Sequence, residues 1–182
     1  MINGLLIYGG GSLSLLNLLY FAWGIWSGAI APTNTASWLM WTLLDLTALG
    51  TAIASRKPFA LALSYTVGAG AVLLVHLRLG TWTWTWVESF SALGVVVSII
   101  LWQKLSADYG IIACVSAMTI AGTPLLVTLW SYPDPRVFWV FANTAIACAM
   151  TLAGSRPWTV GGVMLPGCGL IWNGAVALIA LR

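Results

Sequence analysis

One acid, Asp45, stands in the middle of an apolar stretch from Ser37 to Pro58, with Trp41 four residues before it and a basic Arg56-Lys57-Pro58 stop behind it. An ionisable side chain at bilayer depth costs roughly 2.5–3.5 kcal/mol on insertion scales, so it turns toward the protein interior and marks a functional path. Residues four apart share a helical face, so Trp41 and Asp45 present an indole and a carboxyl group together. A counterpart, Trp139 and Asn143, carries the amide in place of the acid. Indole walls over a carboxylate and a carboxamide suit sugars, nucleosides and amines: apolar faces stack on the rings, and hydroxyl or ammonium groups bond to the polar floor. The competing reading makes Asp45 a protonated structural group that bonds a neighbouring helix.

Trp38, Trp172 and Asn173 extend the list of candidate substrate-binding residues. Asp45 and His76 are the candidates for proton coupling, because a histidine titrates near neutrality; the alternative for His76, beside Arg78, is an interfacial side chain satisfied by water. No catalytic residue, metal site or cofactor is expected. Cys114, Cys148 and Cys168 lie in apolar segments without metal-ligand spacing and read as small buried hydrophobes. Lys57 and Lys104 sit at helix ends, which leaves no lysine inside a helix for retinal, and no phosphate-binding G-x-x-x-x-G-K-[ST] loop occurs.

The elements that must position these residues follow from composition. The 182 residues are 60% hydrophobic and 6% charged, with a mean hydropathy of +0.97, far from the quarter or so of charged residues typical of a soluble domain. The chain therefore reads as an all-α integral membrane protein. The net charge of +3 is spread over short loops without a basic cluster, so no nucleic-acid partner is expected. The partners are the lipid bilayer and a small-molecule substrate, with a homo-oligomer left open, and the expected location is the plasma membrane, in a bacterium the inner membrane.

Seven segments are long enough to span: Gly4–Trp26, Ser37–Ala54 with Ser37 or Thr35 as its cap, Phe59–Leu79, Val87–Leu105, Tyr109–Trp130 with a kink at Pro124, Val137–Gly154 and Thr159–Leu181. The alternating Thr81–Trp86 run is too short and isolated for a spanning strand and belongs in the headgroup region, where indole is favoured. Glu88 falls at a helix end. The first segment lacks the basic n-region and cleavage site of a signal peptide.

A repeat organises the seven. Trp41–Asp45 matches Trp139–Asn143, Ser55-Arg56-Lys57-Pro58 matches Ser155-Arg156-Pro157, and Gly68 and Gly70 match Gly167 and Gly169. The single membrane domain, 1–182, then divides into a three-helix repeat (4–79), a linker helix (87–105) and a second three-helix repeat (109–181). The linker returns the chain to its starting side, giving a 3+1+3 parallel repeat.

On this layout and the two Trp-x-x-x-Asn/Asp windows, the chain resembles the SWEET and PQ-loop sugar and amino-acid transporters and the bacterial Pnu-type vitamin transporters. In the Pnu family such a motif helps form the substrate site; Trp139–Asn143 matches it, and Trp41–Asp45 matches with Asp for Asn. No Pro-Gln pair occurs. The resemblance implies alternating-access transport of a small polar or amphipathic molecule. The rival expectation is an intramembrane enzyme, such as a seven-helix terpene cyclase with Asp45 as general acid and tryptophans stabilising carbocations.

Overall fold

A bilayer core of about 30 Å is crossed by about 20 helical residues, and every backbone polar group inside it must be satisfied within the protein. The computed structural model describes residues 2–182, apart from the side chains of Pro124 and Thr128; the kink expected at Pro124 thus lies outside the described residues. It contains α1 (Ile2–Trp26), α2 (Thr35–Ala54), α3 (Ala60–Leu79), α4 (Trp86–Lys104), α5 (Ala107–Ser131), a 3-10 turn at Pro135–Val137 that runs into α6 (Phe138–Gly154), and α7 (Val160–Ala180). Among the described residues seven helical segments are long and apolar enough to cross a membrane, and none forms a strand. The protein is an all-α, seven-helix integral membrane protein.

The helices close a ring. In it, α1 packs between α3 and α6, α3 also packs on α2, α2 on α5, α5 on α7, and α7 on α6. The order around the ring is α1–α3–α2–α5–α7–α6, and α4 lies outside it against α5 and α2. One end of the bundle gathers the α1–α2, α3–α4 and α5–α6 connections: Thr35 N donates to Thr81 O at 2.8 Å, and Arg136 Nη1 donates to Ala29 O at 2.6 Å. The opposite end gathers the α2–α3 and α6–α7 connections, where Lys57 Nζ donates to Thr159 Oγ1 at 3.1 Å.

At the first end the strand-like tryptophan run is used as a brace. Thr81 forms one isolated parallel bridge with Asn34, and Trp82, Trp84 and Trp86 point outward. Asn34, not Ser37 or Thr35, caps α2 by accepting from Ala36 N at 3.1 Å, because Thr35 is already the first helical residue. That frees Ser37 Oγ to donate to Glu88 Oε1 at 2.6 Å. Glu88 also accepts from Asn34 Nδ2 at 3.0 Å and from Thr85 N at 2.8 Å, completing a capping box with Thr85. Although near a helix end as expected, Glu88 is only 2% exposed and ties α4 to the start of α2.

Arg136 grips Asp134 through two hydrogen bonds of 2.8 Å on the same face. Its guanidinium holds the Asp134 carboxyl below the usual carboxylate range. Stability from this pair is therefore present above the ordinary carboxylate pKa and fades as pH falls through the lowered one, a small effect because the pair is solvent-exposed.

At the opposite end small residues draw α1 and α6 together. A Cβ on Gly10 would lie 2.5 Å from Ala147 O and from Thr151 Oγ1, and one on Gly154 would lie 2.7 Å from Asn3 O. Only glycine lets the α1 and α6 backbones approach this closely, as small residues do at membrane helix interfaces generally. Gly70, by contrast, faces open space.

Two predictions follow for thermal unfolding in detergent micelles. Gly10→Ala should lose about 1–3 kcal/mol through overpacking, whereas Gly70→Ala should be neutral or gain up to about 1 kcal/mol; equal melting points for the two would contradict this close packing. Glu88→Ala should cost about 1–3 kcal/mol through its orphaned donors, and an unchanged melting temperature would remove Glu88 as a brace.

Candidate functional site

Inside the ring lies a cavity of about 190 Å3. Its wall begins at Thr33 and Asn34 in the α1–α2 connection, passes Ser37, Trp38 and Trp41, and reaches Asp45 near the middle of α2. Other helices supply Tyr65 from α3, Thr119 from α5, Phe141 and Thr144 from α6, and Trp172 and Asn173 from α7. Both halves of the ring thus contribute to one void.

The aromatic wall is continuous. Phe141 meets Phe21 edge-on with ring centroids 6.1 Å apart, Phe21 leans on Trp38 at 5.8 Å, Trp38 on Trp41 at 6.1 Å and Trp41 on Trp172 at 6.4 Å. Each spacing falls within the range in which aromatic pairs attract beyond simple burial. Most polar groups along the wall are already committed. Asn173 Nδ2 donates to Gly169 O at 2.7 Å and to Tyr65 Oη at 3.4 Å, Tyr65 Oη contacts Cys148 Sγ at 2.9 Å, and the Thr144 and Thr119 hydroxyls donate to the carbonyls one turn back.

Two groups are not committed. Asp45 is 3% exposed, and among the described residues no donor or counter-ion reaches its carboxyl oxygens. The indole N–H of Trp172 is buried without a partner. An unmade hydrogen bond at a buried site costs about 1–3 kcal/mol, and both residues line the same void.

The candidates from the sequence separate here. Trp38, Trp41, Asp45, Trp172 and Asn173 line the cavity. Trp139, at 66% exposure, lies on the outer surface against Phe138, and Asn143 donates to Asn17 Oδ1 at 3.4 Å, joining α6 to α1 outside the lining. Trp139 and Asn143 therefore do not join Trp41 and Asp45 at the cavity as expected. Residues 44–51 and 144–151 show the same order of buried and exposed positions, an alignment in which Trp41 would stand opposite Phe141 and Asp45 opposite Ala145. That alignment differs from the window match by two residues, and two residues turn a helical side chain through more than half a revolution.

His76 is also reassigned. It is fully buried and stacks on Trp38 at 5.6 Å, but it stands outside the lining. Thr33 N–H donates to Nε2 at 2.9 Å, so Nε2 is an acceptor, and Nδ1, 2.9 Å from Val72 O, carries the proton. A neutral imidazole with both nitrogens engaged latches the α1–α2 connection to α3. It is neither the water-satisfied interfacial histidine of the sequence reading nor a free relay beside Asp45.

Sequence reasoning missed Tyr65, Thr144, Phe21 and Phe141. Among the described residues no cluster of histidine, cysteine or acidic side chains could hold a metal ion. The Cys114 thiol donates to Leu44 O at 3.0 Å, and Cys148 is consumed by Tyr65. Compared with known proteins, the chain matches no family model, no curated protein and no solved structure.

An uncompensated buried carboxyl should trade stability for function. Asp45→Leu should raise the melting temperature in micelles, by stability on the order of 1–3 kcal/mol, while Asn173→Leu, which strips Tyr65 and Gly169 of a donor, should lower it. A fall with Asp45→Leu as steep as with Asn173→Leu would mean that Asp45 is a structural bond.

Proposed function

We propose that this protein is a carrier that moves a small polar or amphipathic molecule across the membrane by alternating access, in the manner of the SWEET and Pnu-type transporters it resembles in layout. The observation that carries the reading is the central cavity, lined from Thr33 and Asn34 of the α1–α2 connection to an unpartnered Asp45 at mid-helix, with close α1–α6 contacts at Gly10 and Gly154 toward the other end. A void open toward one end and closed toward the other would be one of the two states that alternating access requires.

The ring order supports the 3+1+3 repeat. Exchanging α1, α2 and α3 for α5, α6 and α7 carries each neighbour relation in the ring onto another: α1–α3 onto α5–α7, α2–α3 onto α6–α7, and α2–α5 onto α6–α1. The helix-start caps agree, since Asn34 accepts from Ala36 N and Asp134 from Arg136 N, and so do the ends, where Ser55 and Ser155 each donate to the threonine carbonyl one turn back at 2.7 Å. Rocking one triplet against the other would open the glycine contacts while closing the mouth. In a bacterium the carrier would reside in the inner membrane. A terpene cyclase is less well supported, because Asp45 is the only acid among the described lining residues and such chemistry generally needs a second.

Proteoliposome uptake across a panel of sugars, nucleosides and amines tests the reading. At least one solute should equilibrate in a saturable way, Asp45→Asn should reduce that uptake at least about tenfold, equivalent to about 1.4 kcal/mol, and Trp139→Leu should leave it unchanged. Saturable uptake with no dependence on Asp45 would separate the carboxyl group from transport. Turnover of a prenyl diphosphate in micelles without any uptake would favour the enzyme.

A further inference from the structure

The charge balance of the cavity narrows what it can hold. Among the described lining residues there is one acid, Asp45, and no lysine, arginine or histidine. Asp45 is 3% exposed, and among the described residues the protein supplies it with neither a donor nor a counter-ion. The surrounding surface is mainly the five-ring aromatic wall of Phe21, Trp38, Trp41, Phe141 and Trp172. Most other polar groups have their donors spent on neighbouring protein atoms.

Resting on the carrier reading above, we propose that the substrate is a small monocationic amine whose N–H bonds meet the Asp45 carboxylate and whose apolar body lies against the tryptophan wall. Each part of the ligand answers a feature of the site. Two unpartnered carboxyl oxygens need donors, which a primary or secondary ammonium has and a quaternary one lacks. Ionised, the Asp45 carboxylate in this apolar enclosure needs one positive charge beside it, and aromatic faces attract that same cation when it is desolvated.

Competing chemistries fit poorly. A sugar carries hydroxyls around its whole rim and would leave most of them facing aromatic carbon, where an unmade hydrogen bond is costly. An anion would meet Asp45 without a basic residue to offset it. The 190 Å3 of space is below the range of about 300–1,000 Å3 for pockets that take drug-sized ligands, which favours a molecule of about a dozen heavy atoms or fewer over a nucleoside or vitamin.

The test uses radiolabelled benzylamine, with benzyl alcohol as a neutral competitor of nearly the same shape and benzyltrimethylammonium as a cation without N–H. Equilibrium binding is measured on the purified full-length protein in micelles. Saturable benzylamine binding is expected, at least tenfold weaker competition from each of the other two compounds, and a tenfold or greater loss with Asp45→Asn. Competition by benzyl alcohol equal to that of unlabelled benzylamine would overturn the proposal, as would absence of saturable benzylamine binding. These comparisons need only the wild-type chain, so a poorly folded Asp45→Asn protein does not rescue the idea. Uptake into proteoliposomes separates this from the carrier reading. If neutral solutes cross in a saturable way while benzylamine fails to bind, transport stands and the amine assignment falls; if benzylamine binds through Asp45 but no solute crosses, the amine site stands and transport falls.

Discussion

A single carboxyl group buried at mid-membrane without a partner is the constraint around which this bundle is built. Many other polar side chains within the helices are quieted locally: Thr42, Thr47, Thr66, Ser91 and Thr151 each return a hydrogen bond to their own helix. Asp45 has no such outlet, because an acid cannot donate backward when ionised and no neighbour donates to it. Its cost is tolerable only if the group borders a space where something else can satisfy it, and the cavity is that space. The aromatic wall then follows, since indole and phenyl rings keep the void open with rigid side chains while offering faces attractive to cations.

The two ends of the bundle are held by different physics. The mouth is tied by polar contacts, with Glu88 gathering Asn34, Ser37 and Thr85, and His76 gathering Thr33. The far end is held by backbone proximity through glycine. Hydrogen bonds at a rim can exchange with water at little net cost, whereas a close-packed glycine contact is nearly all or none. In the proposed carrier such a pairing would let one end loosen by degrees while the other opens as a unit. Cations at both ends rest over tryptophan rings, Arg78 on Trp26 and Arg182 on Trp130 at one end and Arg156 on Trp158 at the other, fixing the depth of the bundle against the interface.

The fold was legible because a bilayer leaves few options: apolar runs of about 20 residues become helices, and their ends were placed to within a few residues. Asp45, Trp41 and Trp38 were legible for the same reason, since an acid at that depth must turn inward and takes its helical face with it. The second half of the site was not. Trp139 and Asn143 look like Trp41 and Asp45 as letters, but an α6 of nearly all-apolar residues has no polar stripe to fix its rotation, and only packing decides that Phe141 and Thr144 face the void. Glu88 was placed correctly at a helix end, but its burial, like that of His76, depends on what a loop folds over it. The Thr85-x-x-Glu88 spacing of a capping box was the one cue in the sequence to that role.

The claim that Asp45 floors a water-reachable cavity is tested most directly by its own position. In a background with Cys168 replaced by alanine, Asp45→Cys in oriented vesicles is treated with a small membrane-impermeant cationic thiol reagent applied from each side in turn. Reaction from the side of the α1–α2 connection, slowed by a transported solute, is the result this account predicts. A thiol at position 45 that stays inert from both sides, while one at Thr33→Cys reacts, would contradict it.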